Sequence, residues 1–299
     1  MEKYIQLEPI EKTLIWGHES WVIAAHENGD GIIKNGVWRG QTLRWLWQNH
    51  REYFGNMTGE RFPLLIKEIT AKDDLSIQVH PDDVYAKVHE HGASGKSECW
   101  YILEAKDGAS LILGHHAKNR EEAEHYVREG LWKEFLNEVP VKAGDFFQID
   151  AGCVHSIKGG IRLLEIQQNS DITYRLYDYN RLSMDGNQRP LHINKSLDVI
   201  TYEKKQTPPL SIVHFENGSR EMLIHTPHYQ VDLLKLRGSA YSLSTQNSFL
   251  CLDIIQGKGF LDLLPVTEGM HFLIPSQSTS LSLKGKLDII VSVPQEGSC

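Results

Sequence analysis

Four polar side chains have the types and spacing to hold a metal ion. In residues 75–83, Leu-Ser-Ile-Gln-Val-His-Pro-Asp-Asp, Gln78 and His80 are two positions apart. A strand turns both to one face while Ile77 and Val79 take the other. Pro81 stops the ladder directly afterwards. Buried polar groups left without partners cost roughly 1–3 kcal/mol each, so this pair needs either water on an open sheet face or a ligand. Glu98 heads the apolar run Cys-Trp-Tyr-Ile-Leu and follows a Gly-Lys turn at Gly95 and Lys96. Taken alone, Lys96 with Glu98 reads equally well as a surface ion pair worth about 0–1 kcal/mol. His155 follows an Ala-Gly turn, where a lone histidine is more often structural than a ligand. Together, Gln78, His80, Glu98 and His155 form a mixed nitrogen and oxygen donor set of the kind a divalent ion such as Zn2+ accepts. A neutral amide in place of a thiolate leaves more positive charge on the ion and favours a Lewis-acid role. Cys99, Cys153, Cys251 and Cys299 are scattered without CxxC spacing, which argues against a thiolate zinc site or a disulfide framework.

A second constellation follows in residues 164–175, Leu-Glu-Ile-Gln-Gln-Asn-Ser-Asp-Ile-Thr-Tyr-Arg. Glu165 and Gln167 alternate with Leu164 and Ile166, again a polar face opposite an apolar one. Arg175 stands 20 positions after His155, within reach of the same mouth after one turn. Its guanidinium suits a phosphate or a developing oxyanion; the lesser alternative is an ion pair with Asp171 or Asp178.

These residues need short strands to present them. Alternating runs divided by Gly, Pro and Asp predict strands at 64–69, 75–80, 99–104, 110–113, 145–149 and 162–167. Further strands are predicted at 210–214, 229–236, 249–255, 271–274 and 287–293. Helical spacing predicts helices over 42–54, 119–139 and 194–200, the second capped by Asn119 and broken near Gly130. Many short strands with few helices make the chain mainly β, a sandwich or jelly-roll type. The loop-like composition of YEKKQTPP at 202–209 sets a domain boundary, giving 1–203 and 204–299. A weak repeat supports that division. Residues 144–155 (GDFFQIDAGCVH) and 269–280 (GMHFLIPSQSTS) share a layout, with Ser280 where the first copy has His155. The metal site is therefore expected in the N-terminal unit alone.

The bulk composition excludes several classes. The chain has 299 residues, 40% apolar and 23% charged, with a formal net charge of −8. That balance argues against a nucleic-acid partner and leaves a small anionic substrate open. No apolar run reaches the ~18 residues of a membrane span, and Met1 is followed by Glu2, Lys3 and Tyr4 in place of a signal-peptide core. A cytoplasmic globular protein is expected.

At these residues the chain resembles the type I mannose-6-phosphate isomerases in their short bacterial form. The resemblance runs from about residue 16 to 200 and more loosely to the end. It rests on PLLIK (63–67), SIQVHPDD (76–83), GKSECWYI (95–102), GDFFQIDAGCVH (144–155) and LEIQQNSDITYRLYDYNR (164–181). It implies two cupin-type jelly-roll barrels, a helical insertion at about 119–139, and one Zn2+ per chain on Gln78, His80, Glu98 and His155. It also implies an active-site arginine at Arg175, lysines at Lys67 and Lys96, and an acidic residue at Glu165. The implied reaction interconverts mannose 6-phosphate and fructose 6-phosphate through a cis-enediol, with Glu165 and Lys67 both candidates for the proton carrier. The sequence departs from the family at Asp150, where a proline is usual, in a shortened 16–21 segment, at Ala25, and at Ile69-Thr70-Ala71. None of these removes a proposed ligand. The rival readings are a non-catalytic sugar-binding cupin and an iron cupin dioxygenase; Gln78 in place of a histidine speaks against the second.

Overall fold

Most of the alternating runs become strands in a computed structural model that describes residues 2–183, 186–203, 211–245, 248–278 and 280–295. Strands dominate, and helices are few and short. Contacts divide the chain into two compact units, one comprising Glu11–Ser20 and Lys67–Gln206, the other Met1–Ile10, Trp21–Ile66 and Thr207–Cys299. The boundary expected at 203/204 adjoins 204–210, which lies outside the described residues. Packing also divides the chain otherwise, because Trp21–Ile66 groups with the C-terminal part.

The unit holding Lys67–Gln206 draws on two sheets. A six-stranded sheet runs in the order Ile10–Leu14, Gly17–Ile23, Leu64–Ala71, Ile161–Gln168, Glu98–Ala105, Phe146–Ile149. A five-stranded sheet runs Tyr174–Tyr177, Ile77–Val79, His155–Ile157, Ser110–His115, Leu136–Pro140. Trp100, Ile102, Ile149 and Leu163 of the first sheet share one buried cluster with Leu111 and Ile157 of the second, so the sheets face each other. Ile77 and Val79 belong to a different cluster, packed with Phe135, Leu176 and Leu197. The period-two rule then turns Gln78 and His155 inward, to the side of the first sheet.

Helix ends follow local chemistry. Asn119 caps Arg120–Arg128 by accepting from Glu122 N at 2.9 Å. Gly130 breaks the stretch with φ +67°, and a short helix Trp132–Phe135 follows. Helix does not continue to 139 as expected: Leu136–Pro140 is a strand paired with Ser110–His115. There, bonding to an open sheet edge outweighs a helical spacing of only two apolar residues. The third expected helix is Ile193–Val199. A seven-residue helix at Asp83–His89, too short to show periodicity, was not expected; Asp82 caps it through Tyr85 N.

The other unit carries a seven-stranded sheet: Ser211–Phe215, Gly218–His225, Tyr229–Leu243, Leu281–Pro294, Leu250–Leu261, Leu264–Thr267, with His271–Ile274 beside Leu250–Leu261. Leu234, Leu252, Ile254, Phe272 and Ile289 fill its interior. The expected 42–54 helix appears as Leu43–Asn49, capped by Thr42, then a 3-10 turn Arg51–Phe54. Ser280 is exposed and its hydroxyl pairs with that of Ser242 at 3.1 Å. Cys99, Cys153 and Cys251 form no disulfide among the described residues; Cys299 lies outside them. No helix among the described residues is long and apolar enough to cross a membrane.

Candidate metal centre and active site

Sheet register gathers the candidate residues. On the five-stranded sheet His155 and Arg175 both pair with Gln78, so the three form one row across three strands. On the six-stranded sheet Gln167 pairs with Glu98 and Glu165 with Trp100, two rows of the same face. His80 follows the Gln78 strand directly and reaches the same point. His80, Glu98 and His155 are all buried, and their ligand atoms lie within 4.8 Å of one another.

The arrangement fits a bound metal. His155 Nδ1 sits 2.9 Å from the Cys153 carbonyl oxygen and His80 Nδ1 2.8 Å from that of Ile172. Each Nδ1 must then be the protonated nitrogen, which leaves both Nε2 lone pairs for the centre. Glu98 Oε2 is 3.5 Å from His80 Nε2 and Glu98 Oε1 is 3.4 Å from His155 Nε2. Ligands about 2.0–2.1 Å from a tetrahedral ion stand roughly 3.4 Å apart. Glu98 Oε1 is buried and accepts no hydrogen bond from the described residues, a cost of about 1–3 kcal/mol that a cation would remove. The amide of Gln78 places Nε2 3.2 Å from His155 Nε2, while its Oε1 accepts from Ser76 Oγ at 3.2 Å. Turning the amide over brings the oxygen to the centre and leaves the nitrogen donating to Ser76.

Lys96 is the fifth member. Its ammonium donates to Glu98 Oε2 at 2.5 Å and to His80 Nε2 at 3.1 Å. Burial and the neighbouring Lys96 push His80 down to about 3, so the ring is neutral at pH 7. Burial likewise lowers His155. Burial alone would raise Glu98, but the Lys96 ammonium outweighs it and holds the carboxyl well below the usual range. Neutral imidazoles beside an ionised carboxylate are the protonation states a metal needs.

The turn carrying Lys96 is held tightly. A Cβ on Gly95 would lie 2.4 Å from the Asp82 backbone carbon, so only glycine fits. Asp83 accepts from Gly95 N at 2.7 Å and from Gln168 Nε2 at 3.1 Å, and Gln168 Oε1 accepts from Ser97 N at 2.9 Å. The acidic pair after Pro81 is thus structural: Asp82 caps a helix and Asp83 anchors the turn.

Glu165 and Lys67 form a buried ion pair at 2.8 Å. The other carboxylate oxygen accepts from the Trp100 indole at 3.2 Å. Burial and then Glu98 push Glu165 up from the ordinary carboxylate range, against the pull of Lys67 and Lys96. Burial works against the Lys67 ammonium, but the Glu165 and Glu19 carboxylates hold its pKa above the usual lysine value. Arg175 Nε is buried and has no hydrogen-bond partner among the described residues. Asp178, one of its two expected partners, is occupied by Arg181 and Arg189, each at 2.6 Å. Sequence reasoning missed Trp100 and Gln168; the pairing of a buried indole with Glu165 leaves no local pattern, whereas the second glutamine of EIQQ was a visible signal.

Two sheets meeting at a buried His-Glu-His cluster define a cupin-type centre able to hold a metal. Residues 10–98 match the family described as phosphomannose isomerase type I, catalytic domain, and residues 220–294 match mannose-6-phosphate isomerase, cupin domain. The mannose-6-phosphate isomerase ManA of Bacillus subtilis is 42% identical over 308 residues, covering 95% of this chain and 97% of its own. The mannose-6-phosphate isomerase of Streptococcus mutans is 40% identical over 282 residues, covering 93% of this chain and 89% of its own. The crystal structure of the mannose 6-phosphate isomerase from Bacillus subtilis superposes with a TM-score of 0.95 at 35% identity, covering 97% of this chain and 99% of that one. The chain belongs to the type I mannose-6-phosphate isomerase family of enzymes.

Proposed function

We propose that this protein interconverts mannose 6-phosphate and fructose 6-phosphate at a single Zn2+ held by Gln78, His80, Glu98 and His155. The observation that carries the reading is the meeting of His80, Glu98 and His155, all buried, on the face that also presents the Lys67–Glu165 pair. A divalent ion held by these four residues would supply Lewis-acid polarisation of the sugar's carbonyl and hydroxyl oxygens. Lys67, Lys96 and Arg175 outnumber Glu98 and Glu165, which gives the site a local attraction for a phosphorylated sugar despite the net charge of −8. Arg175, with its buried Nε unpartnered, binds the phosphate or the enediol oxygen. Lys96 places a second positive charge beside the reacting oxygens. Glu165 carries the proton between C2 and C1. Its raised pKa brings it nearer neutrality, whereas Lys67 holds its own proton too firmly to serve as base. Lys67 instead orients the carboxylate. The site belongs to the unit that holds Lys67–Gln206, and the C-terminal strands, with Ser280 at the repeat position, carry no metal in this reading. Buried cysteines outside any disulfide at Cys99 and Cys251 agree with a reducing cytoplasm.

A coupled assay following fructose 6-phosphate from mannose 6-phosphate tests the reading. Turnover is expected, abolished by a chelator and restored by one equivalent of zinc. Tight sugar-phosphate binding without turnover would establish the binding-protein alternative instead. Arg175→Ala is expected to lower kcat more than tenfold with zinc still bound, measured by metal analysis of the same sample.

A further inference from the structure

The Glu165 carboxylate is gripped by two donors from different strands. Oε2 takes the Lys67 ammonium at 2.8 Å and Oε1 takes the Trp100 indole N–H at 3.2 Å. A carboxylate bound at one oxygen can swing about its terminal torsion, which is broad. Bound at both, its plane is set.

Trp100 is fully buried, with apolar neighbours Ile102, Ile149 and Leu163 in its cluster. Filling that space needs only a large aromatic ring. The nitrogen is a different matter: a buried indole N–H must find an acceptor. Trp100 finds it in its own cross-strand neighbour, since Glu165 pairs with Trp100 in the ladder. The indole also meets His155 edge-on, with ring centres 5.5 Å apart and an interplanar angle of 73°. One rigid side chain therefore touches a carboxylate of one sheet and an imidazole of the facing sheet.

We propose that Trp100 is a positioning residue for the isomerisation, acting through Glu165: its N–H fixes the orientation of the carboxylate that carries the proton. The proposal rests on the function assigned above. Proton transfer between adjacent carbons requires one carboxylate oxygen to address both C1 and C2 without reorienting, so a wandering carboxylate loses rate before it loses affinity. A donor to the ionised form also favours that form, opposing the effect of burial on Glu165.

The test is Trp100→Phe, which keeps an aromatic ring and removes the N–H. Wild-type protein is assayed first, so that absence of mannose 6-phosphate turnover counts against the assigned function and not against Trp100. In the variant kcat is expected to fall about tenfold with KM within twofold and metal content unchanged. The acidic limb of the kcat/KM profile is expected to move to higher pH, because losing a donor makes the Glu165 carboxylate easier to protonate. A purely packing role would lower the melting temperature and leave that limb in place. Should Trp100→Phe fail to fold, β-(3-benzothienyl)alanine placed at position 100 keeps both rings and lacks the N–H, and the same readouts apply. An unmoved acidic limb, an unchanged kcat, or a loss that tracks metal content or KM overturns the proposal.

Discussion

At the residue scale the site is a problem in distributing protons. His80 and His155 are buried neutral, Glu98 is buried ionised, and Lys96 bridges His80 to Glu98. The ammonium and a metal compete for the same lone pairs on His80 Nε2 and Glu98 Oε2. Lys96→Met is therefore expected to keep or tighten metal binding while turnover falls at least tenfold. Metal titration against a chromophoric chelator, run beside the coupled assay, reads both quantities. Loss of metal in this variant would make Lys96 a structural support and remove it from the reaction.

At the element scale, turns and caps aim the functional strands. Gly130 separates the helices Arg120–Arg128 and Trp132–Phe135 at φ +67°, and a Cβ there would meet nothing closer than Trp132 Nε1 at 4.0 Å. Gly130→Ala thus isolates the conformational cost and should destabilise by about 1–2 kcal/mol in urea unfolding, with activity intact. The segment after the Tyr174–Tyr177 strand is fastened by Asp178, which accepts from Arg181 and Arg189. Burial alone would raise this carboxyl, but the two arginines lower it below 3.8. A carboxyl whose pKa is depressed on folding contributes stability above its unfolded value and loses it as pH falls through the folded value. Stability should therefore drop below about pH 3.8 in part through Asp178. Asp178→Asn should destabilise at pH 7 by about 1–3 kcal/mol and flatten that acid dependence, measured by denaturation midpoints from pH 3 to 7.

At the scale of the whole molecule the chain order and the packing order differ. Trp47, Phe54 and Phe62 sit edge-on to one another, and Phe249 closes the cluster at 5.3 Å from Phe54 and 5.2 Å from Phe62. Ile5 exchanges backbone hydrogen bonds with Leu273 at 2.8 and 2.9 Å. A fragment ending at residue 203 strips these partners from Trp21–Ile66. It is expected to aggregate or bind a hydrophobic dye, whereas the full chain does not. A soluble fragment with native near-ultraviolet dichroism would show that the N-terminal segments need no C-terminal partner.

What the sequence by itself determined was the part that depends on neighbours along the chain. The two-residue spacing of Gln78 and His80, the apolar run after Glu98, and the alternation around Glu165 specify strands and the faces they present. Asn119 and Gly130 mark helix limits for equally local reasons. Donor chemistry was legible for the same cause: His, Glu and Gln keep their ligating atoms in any fold. Tertiary structure decided what depends on register and burial. It converted residues 136–139 from expected helix to strand at a sheet edge, and grouped Trp21–Ile66 with the C-terminal unit. It placed the Trp100 N–H on Glu165 and gave Asp178 to Arg181 and Arg189, leaving Arg175 Nε unpartnered. Those outcomes are set by which strands come to lie side by side, a choice made by burying apolar surface across the whole chain and encoded at no single position.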